Sequence, residues 1–144
     1  MIPPSISPFK AAIGLLFITL SATAAPDTIV DATKAGIVGD GATLNTAAIQ
    51  KAIDGCSAAG GGTIFFPAGR YLTGTIRIKS NVTLRLDEKA TLLGSTNAVD
   101  YQNLDPFIDG VGQTLGHALI VALDAENVGL EGKGTVDGQS PALK

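Results

Sequence analysis

The sequence predicts an all-β solenoid of short strands stacked in coils, with one helix capping the first coil. Three observations predict it. Beyond residue 62, apolar and polar residues alternate with period two in short runs bounded by turn residues. Only one segment, just after Asn45-Thr46, carries apolar residues at helical spacing. Finally, Asn81-Val82-Thr83-Leu84 recurs 46 residues later as Asn127-Val128-Gly129-Leu130, and self-similarity at such a period marks stacked repeats.

The elements follow in chain order. Residues 1–24 are expected to be a secretory leader: Lys10, the apolar run Ala11 to Leu20, then small residues with Ala22 and Ala24 in A-x-A relation. The run is half the length of about 20 apolar residues that a membrane span needs. Residues 25–144 are then the mature domain, secreted or periplasmic. It carries 9 basic against 13 acidic residues once Lys10 is removed. A first strand is expected within Asp27 to Val38, followed by a turn at Gly39-Asp40-Gly41. Asn45 and Thr46 are suited to a helix N-cap, and Ile49, Ala52, Ile53 and Cys56 form one apolar face over two to three turns. Gly60-Gly61-Gly62 should end the helix. Ile64 to Phe66 reads as a strand stopped by Pro67. Ile76 with Ile78, Val82 to Leu86, Leu92-Leu93, Leu119 to Leu123, Val128 with Leu130, and Val136 continue the series. No second helical pattern intervenes, which excludes a helix-covered βαβ sheet.

The 46-residue interval divides into two coils of about 23 residues, a length common in strand solenoids. A chance pair of hairpins is the alternative reading. Between Asn97 and Leu115 the alternation lapses, and a long loop bulging from the solenoid is expected there.

Composition removes several functions. With 45% hydrophobic and 16% charged residues the 144-residue chain is no disordered polymer. A net charge of −3 without a basic tail argues against nucleic-acid binding. One cysteine excludes an intrachain disulfide and any Cys-based zinc site, and one histidine leaves little for a His-ligated metal. Cys56 is expected to be simply buried.

A family resemblance adds to this reading. Gly39 to Gln50 (GDGATLNTAAIQ), Gly60-Gly61-Gly62-Thr63 and Pro67-Ala68-Gly69-Arg70-Tyr71 resemble the N-terminal cap of pectin-degrading right-handed parallel β-helix proteins. Their continuations, Leu72-Thr73-Gly74 through Lys79 to Leu84, Ala90 to Ser95, Asp100-Tyr101, and Asn127 to Gln139 (NVGLEGKGTVDGQ), resemble family 28 glycoside hydrolases. The resemblance covers roughly residues 32–139. It implies a right-handed, single-stranded parallel β-helix and a polygalacturonase-like enzyme that hydrolyses α-1,4 links of the pectin backbone with inversion. Pectin or polygalacturonate would be the partner and a monomer the full-length form. No cofactor, nucleic acid or, after leader cleavage, membrane would be needed. Such chemistry needs a carboxylic acid and a carboxylate about 6.5–9.5 Å apart on opposite faces of the sugar.

The family supplies these groups from Asn-Thr-Asp and Asp-Asp motifs, completed by Gly-His-Gly and Arg-Ile-Lys, on coils after the segment that ends this chain. Here Asp-Asp is absent, and Asn45-Thr46 is followed by Ala47. Gly116-His117-Ala118 and Arg77-Ile78-Lys79 imitate two motifs but stand too early in the chain. No catalytic residue, substrate-binding residue or metal ligand is therefore assigned, and the chain by itself is expected to be inactive. It is also expected to have trouble folding, because a solenoid cut mid-array exposes an unpaired, apolar coil face at its C-terminal end with no cap. Two other classes stay open: a pectate lyase-like or rhamnogalacturonan-active β-helix enzyme, and a non-catalytic module binding an acidic polysaccharide.

Read without the family, Asp124 and Glu126 would share a strand face at about 6.5–7 Å, although their setting looks like a turn. Asp87-Glu88 reads as a turn. His117 has no identifiable partner. Arg70, Arg77, Lys79, Arg85 and Lys89 hold half of the positive charge. They could attract an anionic uronate polymer, or be the solvated charges of an outer sheet face.

Overall fold

The computed structural model describes residues 28–139; the expected leader lies outside them. In chain order it contains β1 (Ile29–Asp31), α1 (Thr46–Ala58), β2 (Gly62–Phe66), β3 (Gly69–Thr73), β4 (Ile76–Arg77), β5 (Val82–Leu86) and β6 (Ala90–Gly94). A 3-10 turn at Ala98–Asp100 follows, then β7 (Asn103–Ile108), β8 (Thr114–His117), β9 (Ile120–Val121), β10 (Gly129–Gly132) and β11 (Thr135–Asp137). The strands stack as three parallel sheets, ordered β1-β2-β5-β10, β3-β6-β11 and β4-β9. The fold is a parallel β-helix.

Period-two alternation sets the register. Along β5, Val82, Leu84 and Leu86 point inward and are buried, while Thr83 and Arg85 are half-exposed. A parallel ladder places like on like, so Ile64 stacks on Leu84 and Leu84 on Leu130. Tyr71 stacks on Leu92 and Leu92 on Val136. Each fully buried aliphatic side chain contributes about 1.5–3 kcal/mol of transfer free energy. Phe66 and Tyr71 fill the corner between β2 and β3 edge to face, with ring centroids 5.1 Å apart.

The helix does what its spacing predicts. Ile49, Ile53 and Cys56 are buried, Ala52 is partly buried, and α1 packs against β2 and β4, covering the apolar end of the first coil. It stops where glycine allows. The N–H groups of Gly60 and Gly61 donate to the Ser57 and Cys56 carbonyls, with φ of 101° and 108°. A Cβ on Gly61 would also strike the backbone of Asn81. Asn45 is the N-cap residue by position, but its side chain does not cap the helix. Buried instead, its Oδ1 accepts from Val38 N (2.8 Å), and its Nδ2 donates to the carbonyls of Val38 and Thr43 (both 2.9 Å) and Leu72 (3.3 Å). The chain entering the helix is thereby tied to the end of β3.

Two expectations change. The 46-residue repeat is one coil, not two. Leu84 pairs with Leu130, 46 residues on, whereas Ile64 pairs with Leu84 after only 20. The extra length is the insertion between β6 and β9, and it is no loop: β7 and β8 form an antiparallel hairpin with an irregularity between Asn103 and Phe107. Pro106 and the exposure of Asp105 to Ile108 hide this strand from a pattern search. The stems of the insertion are held by one buried hydroxyl. Thr75 Oγ1 accepts from Gln102 N (2.9 Å) and donates to the Ala118 carbonyl (2.7 Å). In addition β3 was not foreseen, and β9 is shorter than the apolar run that predicts it.

The second copy of the repeat is open. Val128, Leu130 and Val136 are 39%, 49% and 42% exposed, although Val82, Leu84 and Leu92, beneath them in the stack, are fully buried. At the turns before β5 and β10, Asn81 and Asn127 both take left-handed φ (64° and 53°), and Asn127 Nδ2 donates to Asn81 Oδ1 at 3.0 Å. Asparagine tolerates that conformation better than most residues.

Candidate functional site

Two adjoining hollows lie where α1 meets β4. The larger, about 500 Å³, is walled by Thr46, Gln50 and Asp54 of the helix, by Thr75, Arg77 and Lys79 on and beside β4, and by Gln102 and Leu104. The smaller, about 230 Å³, shares Arg77 and Lys79 and is closed by Ser57, Ser80 and the Leu123–Ala125 turn. Arg77 and Lys79 therefore form the ridge between them.

The packing of the helix on β4 makes this ridge rigid. Gln50 docks on the backbone of Arg77 like a strand partner: Arg77 N donates to Oε1 (2.9 Å) and Nε2 donates to the Arg77 carbonyl (3.1 Å). The Gln50 amide also donates to Asp54 Oδ1 at 2.9 Å, and Lys79 Nζ lies 2.9 Å from the same oxygen. Donation from Gln50, followed by the Lys79 ammonium, holds the Asp54 carboxyl below its ordinary value. Asp54 and Lys79 thus cancel each other. Arg77 is different: half-buried, it reaches only the Leu123 carbonyl, at 3.4 Å, and no carboxylate pairs with it among the described residues.

The rest of the basic cluster disperses. Arg85 is spent on Glu131 of the next coil at 2.5 Å. Arg70 lies beside the Gly41 turn, and Lys89 is exposed in the turn between β5 and β6. What looks like one stripe in the sequence becomes separate positions, and Arg77 and Lys79 share a concave surface.

The candidate carboxylates do not assemble a site. Asp124 has a left-handed φ of 49° and lies with Glu126 in the turn between β9 and β10, so no strand aligns the pair. Asp87 caps its own turn, accepting from Lys89 N at 3.0 Å, and Glu88 is exposed. His117 is exposed at the end of β8. It lines a third hollow of about 590 Å³ with Asp105, Phe107 and the β9 segment. Asn45-Thr46 is consumed structurally: besides the bonds of Asn45, Thr46 Oγ1 accepts from Gly74 N at 2.7 Å. Cys56 is buried, and burial pushes its thiol pKa up. The docking of Gln50 on Arg77 and the pairing of Asp54 with Lys79 were missed from sequence. Their only signal there was the placement of Gln50 and Asp54 on the polar side of the amphipathic helix.

Comparison with known proteins fits this architecture. The family described as rhamnogalacturonase A/epimerase, pectate lyase-like, matches residues 29–142. The exo-poly-alpha-D-galacturonosidase of Dickeya chrysanthemi is 42% identical over 129 residues, which is 84% of this chain and 21% of that protein. Among solved structures, the family 28 exopolygalacturonase of Yersinia enterocolitica is 37% identical with a TM-score of 0.68, covering 77% of this chain and 21% of its own. The exopolygalacturonase of Thermotoga maritima is 32% identical with a TM-score of 0.68, covering 80% and 26%. The chain spans about a fifth to a quarter of the length of these relatives. With its three parallel sheets, helical cap and matching family profile, this chain belongs to the rhamnogalacturonase A/epimerase, pectate lyase-like family and is similar to part of family 28 exopolygalacturonases.

Proposed function

We propose that this chain is the N-terminal part of an exported polygalacturonase-like glycoside hydrolase, which cleaves α-1,4-galacturonosyl links of pectin with inversion. The observation that carries the reading is its similarity, along most of its length, to exopolygalacturonases of the same fold. Inversion needs one carboxyl group to protonate the leaving oxygen and another to activate water across the ring, about 6.5–9.5 Å away. Neither carboxylate pair singled out in the sequence, Asp124 with Glu126 or Asp87 with Glu88, is aligned by a strand in the described coils. In this reading the acid and base stand on coils that follow, and the role of residues 28–139 is to start the solenoid. The capping helix closes the core at one end, and the stacked ladders set the register that later coils inherit. Residues 1–24 direct export and are removed.

The test begins with the DNA beyond the codon for Lys144, translated in all forward frames. Asn-Thr-Asp, Asp-Asp, Gly-His-Gly and Arg-Ile-Lys segments are expected in that order. The polypeptide that contains them should release reducing ends from polygalacturonate, while the 144-residue chain should not. Hydrolysis by the 144-residue chain alone, or a longer polypeptide without activity on polygalacturonate, would overturn the proposal.

A further inference from the structure

We infer that the Arg77–Lys79 ridge at the cap helix is a binding site for the carboxylate of a uronic acid residue. The inference rests on the pectin-acting reading for its ligand class, and on the geometry of the ridge for its location.

Three features carry it. First, the site is concave and built by three separate parts of the chain: the polar face of α1, the outer residues of β4, and the stem of the hairpin. A volume of about 500 Å³ falls within the usual range for small-molecule sites. Second, most polar groups of its walls are already satisfied within the protein, as the Gln50, Thr46 and Thr75 bonds show. These walls are preformed and need no reorganisation on binding. Third, the charges do not cancel. Asp54 is matched by Lys79, and among the described residues the Arg77 guanidinium is bonded once, to a carbonyl, while bordering both hollows. A guanidinium presents paired N–H donors in the fork that fits a carboxylate. The sugar hydroxyls would meet Gln102 and Lys79 on one side, or Ser57 and Ser80 on the other. Asp124, exposed at the edge of the smaller hollow, favours the larger one for the anion.

The test uses the 144-residue chain titrated calorimetrically with trigalacturonate, and with a neutral galactose trimer as control. Arg77→Gln retains the backbone groups that dock Gln50. It should lower trigalacturonate affinity about tenfold, as expected for loss of a charge-assisted pair, with an unchanged circular dichroism spectrum and melting curve. Arg77→Lys should recover part of the loss. Asp54→Asn frees the Lys79 charge and should tighten binding severalfold, a change of sign that structural damage does not produce. Lys51→Gln, on the exposed side of α1, should change nothing. The inference is overturned if the chain does not bind trigalacturonate, if the neutral trimer binds equally well, or if Arg77→Gln binds like the parent. Binding that depends on Arg77 in a protein whose extended form fails to hydrolyse polygalacturonate would support the site and remove only the hydrolase reading.

Discussion

Leu84 and Leu130 offer a controlled comparison, because they are the same residue type in the same stack, 46 residues apart, one fully buried and the other 49% exposed. Truncation to alanine removes three carbons in each case, worth about 2.4 kcal/mol of transfer free energy when burial is complete. At Leu84 the void is enclosed by Ile64 on one side and Leu130 on the other. A cavity contribution therefore adds to transfer, and the total should be about 3–4 kcal/mol. At Leu130 about half of the transfer contribution applies, and no closed cavity forms on the open side. The expected cost is about 1.2 kcal/mol. Urea unfolding followed by far-ultraviolet circular dichroism gives both numbers, provided that the denaturant slope is unchanged between variants. Equal losses at the two positions would refute the reasoning, since they would mean that Leu130 is covered in solution as completely as Leu84.

Two further outcomes follow from the same structure. Asn45→Ala removes the partner of Val38 N and three donated bonds from a buried site, and should cost about 2–3 kcal/mol in the same unfolding assay; Asn45→Asp should not restore it, because a carboxylate cannot donate to the Val38, Thr43 and Leu72 carbonyls. Asp40 should titrate near 2 by carboxyl-carbon NMR, because Thr43 N, the Thr43 hydroxyl and Ala42 N all donate to its carboxylate. Its folded pKa lies below the unfolded value near 3.8, so its stabilising contribution is complete above that value and disappears as pH falls from about 4 to 2. Asp40→Asn should therefore flatten the acid limb of the stability curve, and an unchanged limb would contradict this assignment.

How much the sequence discloses depends on where each partner lies. Helix α1 is legible because Ile49, Ile53 and Cys56 mark its buried side within a single local window. Strand β5 is legible because its alternation is strict. By contrast β3 lies between Pro67 and Gly74 with only Tyr71 and Thr73 fully buried, too short a signal to separate from a turn. The hairpin exposes most of β7 on both faces, so burial leaves no period to read. The repeat was visible but its meaning was not: identical spacing arises from two plain coils or from one coil with an inserted hairpin, and the direct Leu84–Leu130 pairing separates them. The ridge was half legible. Arg77 and Lys79 stood out by charge, but the residues that neutralise one and leave the other free arrive from the helix, 25–27 residues earlier.

The Thr75 clasp has a consequence for how such a solenoid changes over generations. Because one hydroxyl grips both Gln102 and Ala118, the insertion leaves and re-enters the coil at nearly the same point. The ladders on either side, β4 on β9 and β6 on β11, carry no record of how many residues were spent between them. The hairpin is thus an outboard module plugged into a fixed socket. Its length and sequence can be rewritten, or a foreign loop grafted between the same two anchors, without shifting a single rung of the helix that carries it.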